Sequence, residues 1–140
     1  MSTDSTRKRL RFDRATVTEE AGGQCRVRVT LSLGEQLFEA GATSSVENPG
    51  PLKAAAEATL KAVQQAAANR FTCSLADLDH VNALGKNLIA VLVDVKFEGR
   101  DAQVFGSCQI GDSDIDSAVK SALNATNRFF ELAMRSTIED

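Results

Sequence analysis

One pattern, met twice along the chain, constrains the fold more than any other feature. From Gln24 onward Cys25, Val27, Val29, Leu31 and Leu33 are apolar at every second position, with Arg26, Arg28, Thr30 and Ser32 between them. A period of two marks a strand with one buried face. Gly34-Glu35-Gln36 reads as a tight turn, Leu37 to Thr43 as the returning strand, and Ser44 to Pro51 as a break in the pattern. Between Pro51 and Asn69 the apolar residues Leu52, Ala55, Ala56, Leu60, Val63, Ala66 and Ala67 recur at helical spacing, and Pro51 suits a first helical position. Eight of the nineteen residues from 51 to 69 are alanine, so this helix can lie close to a sheet.

The second half repeats the first. Val91, Val93, Val95 and Phe97 alternate, Glu98-Gly99-Arg100 turns the chain, and Ala102 to Ile110 returns. Gly34 matches Gly99 and Gly41 matches Gly106 at a spacing of 65, whereas Val27, Val29, Leu31 and Leu33 match Val91, Val93, Val95 and Phe97 at 64. The second turn is therefore expected to be one residue longer. Ala55, Leu60 and Ala62 match Ala118, Leu123 and Ala125 at 63, so the loop leading into the second helix is expected to be about two residues shorter. A weaker strand precedes each hairpin, at Arg9 to Thr18 and Phe71 to Ala83. The fold expected is α+β, a pseudo-twofold duplication of a βββα unit with the sheets packed with two helices. Residues 1–8 read as a disordered basic tail. Residues 9–140 read as one domain with halves at 9–69 and 70–134. Neither half can bury its apolar face alone, so the two are expected to pack together, and the open sheet edges point to a homodimer.

Composition removes several chemistries. Among 140 residues there is one histidine, His80, too few for a multi-histidine metal centre, and neither Trp nor Tyr. Cys25, Cys73 and Cys108 form an odd, widely spaced set with no C-x-x-C, which disfavours a zinc site or a disulfide framework. In a strand, Asp79 and His80 point to opposite faces and do not cooperate as acid and base. No base accompanies a cysteine, so no enzyme, metal or cofactor is expected. Phe129 and Phe130 read as core or dimer contacts. No stretch reaches the ~20 apolar residues of a membrane helix, and the N-terminus lacks the apolar centre of a signal peptide, so a cytoplasmic location is expected. Arg7, Lys8, Arg9, Arg11 and Arg14 form a basic cluster, but 16 Lys and Arg against 19 Asp and Glu give a net charge of -3, which opposes nucleic-acid binding.

The loops that lead into the two helices carry the candidate site. The free N–H groups and partial positive charge of a helix start favour a carboxylate or phosphate. Both loops also carry acids, Glu47 in the first and Asp112 and Asp114 in the second. That mixture is poor for a phosphate and suits a free amino acid, whose carboxylate would take the N–H groups while its ammonium meets an acidic side chain. Asp112, Ser113 or Asp114 acting simply as a helix cap is the alternative.

At these loops the sequence resembles a known family. Asn48-Pro49-Gly50-Pro51-Leu52-x-Ala54 is similar to the G-N-G-P-V-x-A loop of the C-terminal regulatory domain of 2-isopropylmalate synthase, the allosteric domain that senses leucine. Asp114-Ile115-x-x-Ala118 and Leu123-Asn124-Ala125-Thr126-Asn127-Arg128 resemble that family's D-I-x-x-A and L-N-A-L-N-R helix. The resemblance implies a pair of βββα units and a homodimer, and with the acids of the two loops it makes the candidate ligand site Glu47, Asn48, Gly50, Pro51, Ala54, Asp112, Asp114, Ile115 and Ala118. The sequence departs from the pattern in two places: Asn48 and Pro49 stand where the family has glycine and asparagine, Pro49 removing an N–H, and Ala122 stands where it has tyrosine. The function expected is that of a non-enzymatic, sensor-like regulatory protein binding an amino acid or small acid. The alternative is a structural or protein–protein interaction module that kept the fold and lost the pocket.

Overall fold

In a computed structural model of the chain the alternating run is a strand, β2 (Gln24–Leu33), between β1 (Arg11–Glu20) and β3 (Gln36–Ser45) in an antiparallel sheet of order β1-β2-β3. Helix α1 (Gly50–Ala66) follows. The second half has the same order: β4 (Phe71–Ala83), β5 (Lys86–Phe97) and β6 (Arg100–Gln109) form the sheet β4-β5-β6, and α2 (Asp114–Glu139) follows. The protein is thus an α+β duplication of a βββα unit. The structure describes residues 9–139, with side chains through 135. The basic tail read at residues 1–8 lies outside the described residues.

Each helix covers one face of its own sheet, packs against the other helix, and reaches the first strand of the other half. The shared core follows from this. Val27, Val29, Leu31, Ile89, Val91, Val93 and Val95 line the inner faces of the central strands, fully or nearly fully buried. Helix α1 is enclosed on most sides, with Leu52, Ala54, Ala55, Ala56, Ala58, Leu60, Ala62 and Val63 buried and only a narrow stripe at Glu57, Lys61 and Gln65 exposed. Its many alanines are what permit such close approach from several directions.

The register corrects three details expected from the sequence. Leu33 pairs with Gln36 and Phe97 with Arg100, so both hairpins close with two-residue turns and the second is not longer. The turns place glycine differently, Gly34 first (φ 62°) and Gly99 second (φ 75°, after Glu98 at 53°), which is why matching the glycines suggested an insertion. Second, Val27 faces Ala42 and its counterpart Val91 faces Gly106, so the counterpart of Gly106 is Ala42, at a spacing of 64, and not Gly41. Third, Val46 N–H donates to Gly23 O at 3.1 Å and Ile110 N–H donates to Asn87 O at 2.9 Å, two equivalent bonds that keep the spacing of 64 into the loops. The helices match at 63: buried Ala54, Ala55, Ala56, Ala58, Leu60 and Ala62 correspond to buried Ser117, Ala118, Val119, Ser121, Leu123 and Ala125. The second loop is therefore shorter by one residue rather than two.

The ends also differ from expectation. Helix α1 stops at Ala66, before Asn69, because Ala68 and Asn69 are left-handed (φ 54° and 58°) and turn the chain into β4. Helix α2 runs to Glu139, beyond the limit of 134 read for the second half.

Gly106 marks the closest contact of helix and sheet. A Cβ there would collide with Ser121 O and stand 2.6 Å from Ala125 N, both backbone atoms of α2. Hydrogen bonds fix the contact: Ser121 Oγ donates to Ile89 O at 2.8 Å and Asn124 Nδ2 to Ser107 O at 2.9 Å. Across the molecule Phe71, Phe97 and Phe129 join β4, β5 and α2 in a triad with ring centroids 6.1–6.4 Å apart. Phe130 is buried as well, so both phenylalanines of this pair serve the core.

Candidate functional site

The first loop spans 46–49. Glu47 N–H donates to Ser45 Oγ at 3.1 Å, and Glu47, Asn48 and Pro49 are exposed. The Asn48–Pro49 peptide is cis. Gly50 lies against the end of β3, where a Cβ would stand 2.5 Å from Ser45 O, which explains the glycine. Pro51 and Lys53 are half-buried, whereas Ala54 is fully buried beneath the loop. The donors at this helix start are largely committed: Gly50 N–H bonds Glu47 O at 2.8 Å, Pro51 has none, and Lys53 N–H bonds Pro49 O at 3.0 Å. Leu52 N–H is the one left. No side chain caps the helix, and its first turn has no acidic residue.

The second loop, 110–113, is organised differently. Ser113 Oγ accepts Asp116 N–H at 3.2 Å, the geometry of an N-cap, and Ser113 O accepts Ser117 N–H at 3.2 Å. Asp114 and Asp116 stand in the first turn of α2, where their charge opposes the positive helix end. Of the predicted residues Asp112 and Asp114 are exposed, Ile115 is half-buried and Ala118 is fully buried. Among the described residues no hydrogen bond or ion pair joins the two loops; each is tied to its own sheet.

The other reactive side chains are quiet. Burial pushes the Cys73 thiol up to about 12, so it stays neutral, with Sγ 3.8 Å from Leu60 O. Cys25 is buried with Sγ 3.3 Å from Ser44 Oγ. His80 is exposed, and its backbone N–H, not its ring, donates to Asp79 Oδ1 at 2.8 Å. Among the described residues no cluster of His, Cys, Asp and Glu is placed to hold a metal ion, and no helix is long and apolar enough to cross a membrane.

The structure adds a surface that the linear sequence conceals. The face of each sheet turned away from the helices is bare. On the first sheet this face carries Arg11 and Arg14 from β1 and Arg26 and Arg28 from β2, because they share register positions with Ser32 and Thr30 or with Thr16 and Thr18. Its acids are occupied: Glu20 pairs with Arg26 at 3.4 Å, Asp13 accepts from Ser32 Oγ at 3.0 Å, and Glu39 accepts from Thr30 Oγ1 at 3.3 Å. On the second sheet the corresponding face carries Asp77, Asp79, Asp94 and Asp101, with Lys86 and Lys96. A hollow of about 660 Å³ opens there, lined by Thr72, Ser74, Asp94, Lys96, Asp101 and Gln103. Gln103 Nε2 donates to Asp94 Oδ1 at 2.8 Å and Lys96 lies 3.8 Å from Asp101. Arg26 and Arg28 were legible as the polar half of an alternation. Placing Arg14 beside them requires the β1 bulge between Phe12 and Arg14, which no sequence signal marks.

Comparison of the sequence with family models gives no match, and comparison with curated proteins gives none at a significant level. The fold and the surfaces described above define a duplicated α+β module whose two sheets each carry helices on the inner face and none on the outer one.

Proposed function

We propose that this protein is a non-enzymatic module that works by self-association, a homo-oligomer whose regulatory output is assembly rather than chemistry. The observation that carries the reading is the bare outer face of each sheet. The helices cover the inner faces of the central strands, while each outer face leaves a large apolar residue in solvent, Leu37 at 67% exposure on the first and Phe105 at 66% on the second. An exposed sheet with unpaired edges is a surface that proteins cover or use. Light scattering coupled to size exclusion tests the reading: a mass at a multiple of 15.0 kDa is expected, rising with concentration. A monomer at every concentration overturns it.

A second reading, sensing of an amino acid or small acid by the loop at Glu47–Pro51, is favoured by one observation. Helix α1 starts with neither a side-chain cap nor a first-turn acid, so its positive end is unopposed, unlike that of α2. It agrees with the resemblance to the leucine-sensing family. A thermal-shift series with leucine, other amino acids and short organic acids tests it; a rise in Tm that Glu47→Gln abolishes is the expected result, and no rise with any of them removes the reading.

A further inference from the structure

We infer that the partner of each bare sheet is the opposite sheet of a second copy of this chain: the arginine face of the first sheet docks on the aspartate face of the second. This rests on the self-association reading and specifies its geometry. The two faces have the same backbone architecture and opposite charge. Four arginines outnumber Asp13, Glu20 and Glu39 on one, and four aspartates outnumber Lys86 and Lys96 on the other. The difference is position by position. Thr16 and Thr18 of the first sheet correspond to Asp77 and Asp79 of the second, Arg28 to Leu92, and Arg14 to Ser74. Among the described residues Arg11, Arg14 and Arg28 have no ion pair, and neither do Asp77, Asp79 and Asp94. Each face thus holds the charge that the other lacks.

Pairing like faces would set Arg against Arg or Asp against Asp, a repulsion that opposes both isologous arrangements. Pairing unlike faces matches the charges, brings Leu37 and Phe105 into the contact zone, and offers the hollow beside Asp94 and Asp101 to an arginine side chain. Such a contact is heterologous. It ends in a closed assembly only if its rotation closes, and otherwise continues from copy to copy. A polyanion on the arginine face is the less suitable occupant, because it offers no cation to Asp13, Glu20 and Glu39, whereas the second sheet's outer face brings Lys86 and Lys96 with its aspartates.

Two charge-reversed variants of the full chain test this, Arg14→Glu with Arg28→Glu and Asp77→Arg with Asp79→Arg, all at exposed positions, with circular dichroism confirming that each folds. Each variant alone is expected to lose association by roughly a hundredfold or more in apparent Kd. An equimolar mixture is expected to associate again, because each variant retains the face the other has lost. Raising the salt to about 1 M is expected to weaken the wild-type assembly. If both variants associate like the wild type, or only one of them loses association, the proposed docking is wrong while the self-association reading stands. If the wild type is monomeric throughout, that reading falls and the docking with it. If the monomer instead retains generic nucleic-acid duplex at low salt, and Arg14→Glu with Arg28→Glu abolishes retention, the arginine face belongs to a polyanion and the docking is overturned.

Discussion

The first and second halves of this chain share a core and differ almost everywhere else. Inside, Val27, Val29 and Leu31 are matched by Val91, Val93 and Val95, all essentially fully buried, because a strand facing an alanine-rich helix leaves little choice of shape. At the helix starts and on the outer sheet faces, where packing does not decide, the halves diverge. One helix is uncapped and the other capped; one face is basic and the other acidic. The duplication thus fixes the scaffold and leaves the individual surfaces free to specialise.

The largest expected break in the equivalence is at Gly106. Gly106→Ala drives a methyl group into the backbone of α2 and should cost about 3 kcal/mol or more, since neither Ser121 O nor Ala125 N can move without moving the helix. Its counterpart substitution, Ala42→Gly, loses one buried methyl and some backbone order and should cost about 1–2 kcal/mol. Urea unfolding of both variants checks the difference; equal effects would mean that the two helices approach their sheets equally closely.

A second asymmetry is set by pH. Cys73 stands opposite Val95, where the first half has Phe12 opposite Leu31. The unfolded thiol ionises near 9.0 and the folded one near about 12, so between these values the unfolded state binds fewer protons and stability falls as pH rises. The loss should approach about 1.4 kcal/mol per pH unit within that window and be absent below it. Denaturation of the wild type and of Cys73→Ala from neutral to alkaline pH measures it: the variant should be less stable at neutral pH and show the shallower alkaline decline.

The smallest effect concerns the helix starts. Ser113→Ala removes the cap of α2 and should cost about 1 kcal/mol. Asn48→Ala, next to an α1 start that has no side-chain cap, should stay within about 0.5 kcal/mol. A comparable loss at Asn48 would show that its side chain supports the first loop after all.

These asymmetries also mark what could be read from the sequence. Cys25 to Leu33 was legible because one face is buried and the strand is regular, and α1 because its alanines recur over four turns. β1 and β4 were weak for a physical reason. Each contains a bulge, between Phe12 and Arg14 and between Leu75 and Asp77, and an extra residue reverses the alternation partway along the strand. The same bulges decide which charges share a face, so Arg14 could not be grouped with Arg28, nor Asp77 with Asp94, until the register was known. Aligning glycines misplaces the second turn by one residue because glycine satisfies a left-handed position in either place of a two-residue turn, and Glu98 occupies one such position without it. Residue types place the helix-leading loops between strand and helix, but the hydrogen bonds made there, such as Asp116 N–H to Ser113 Oγ, depend on backbone geometry that residue types do not specify.

The phenylalanine triad has a spectroscopic consequence. The chain has neither tryptophan nor tyrosine, and among the described residues the rings in mutual contact, Phe71, Phe97 and Phe129, all belong to the second half. Their counterparts in the first half include Leu33 and Ala66, which carry no chromophore. The near-ultraviolet dichroism of this protein is therefore weighted toward the second repeat, which holds five of the seven phenylalanines, while the far-ultraviolet signal averages over both. Following the two together during unfolding would show whether the repeats melt as a unit or one after the other.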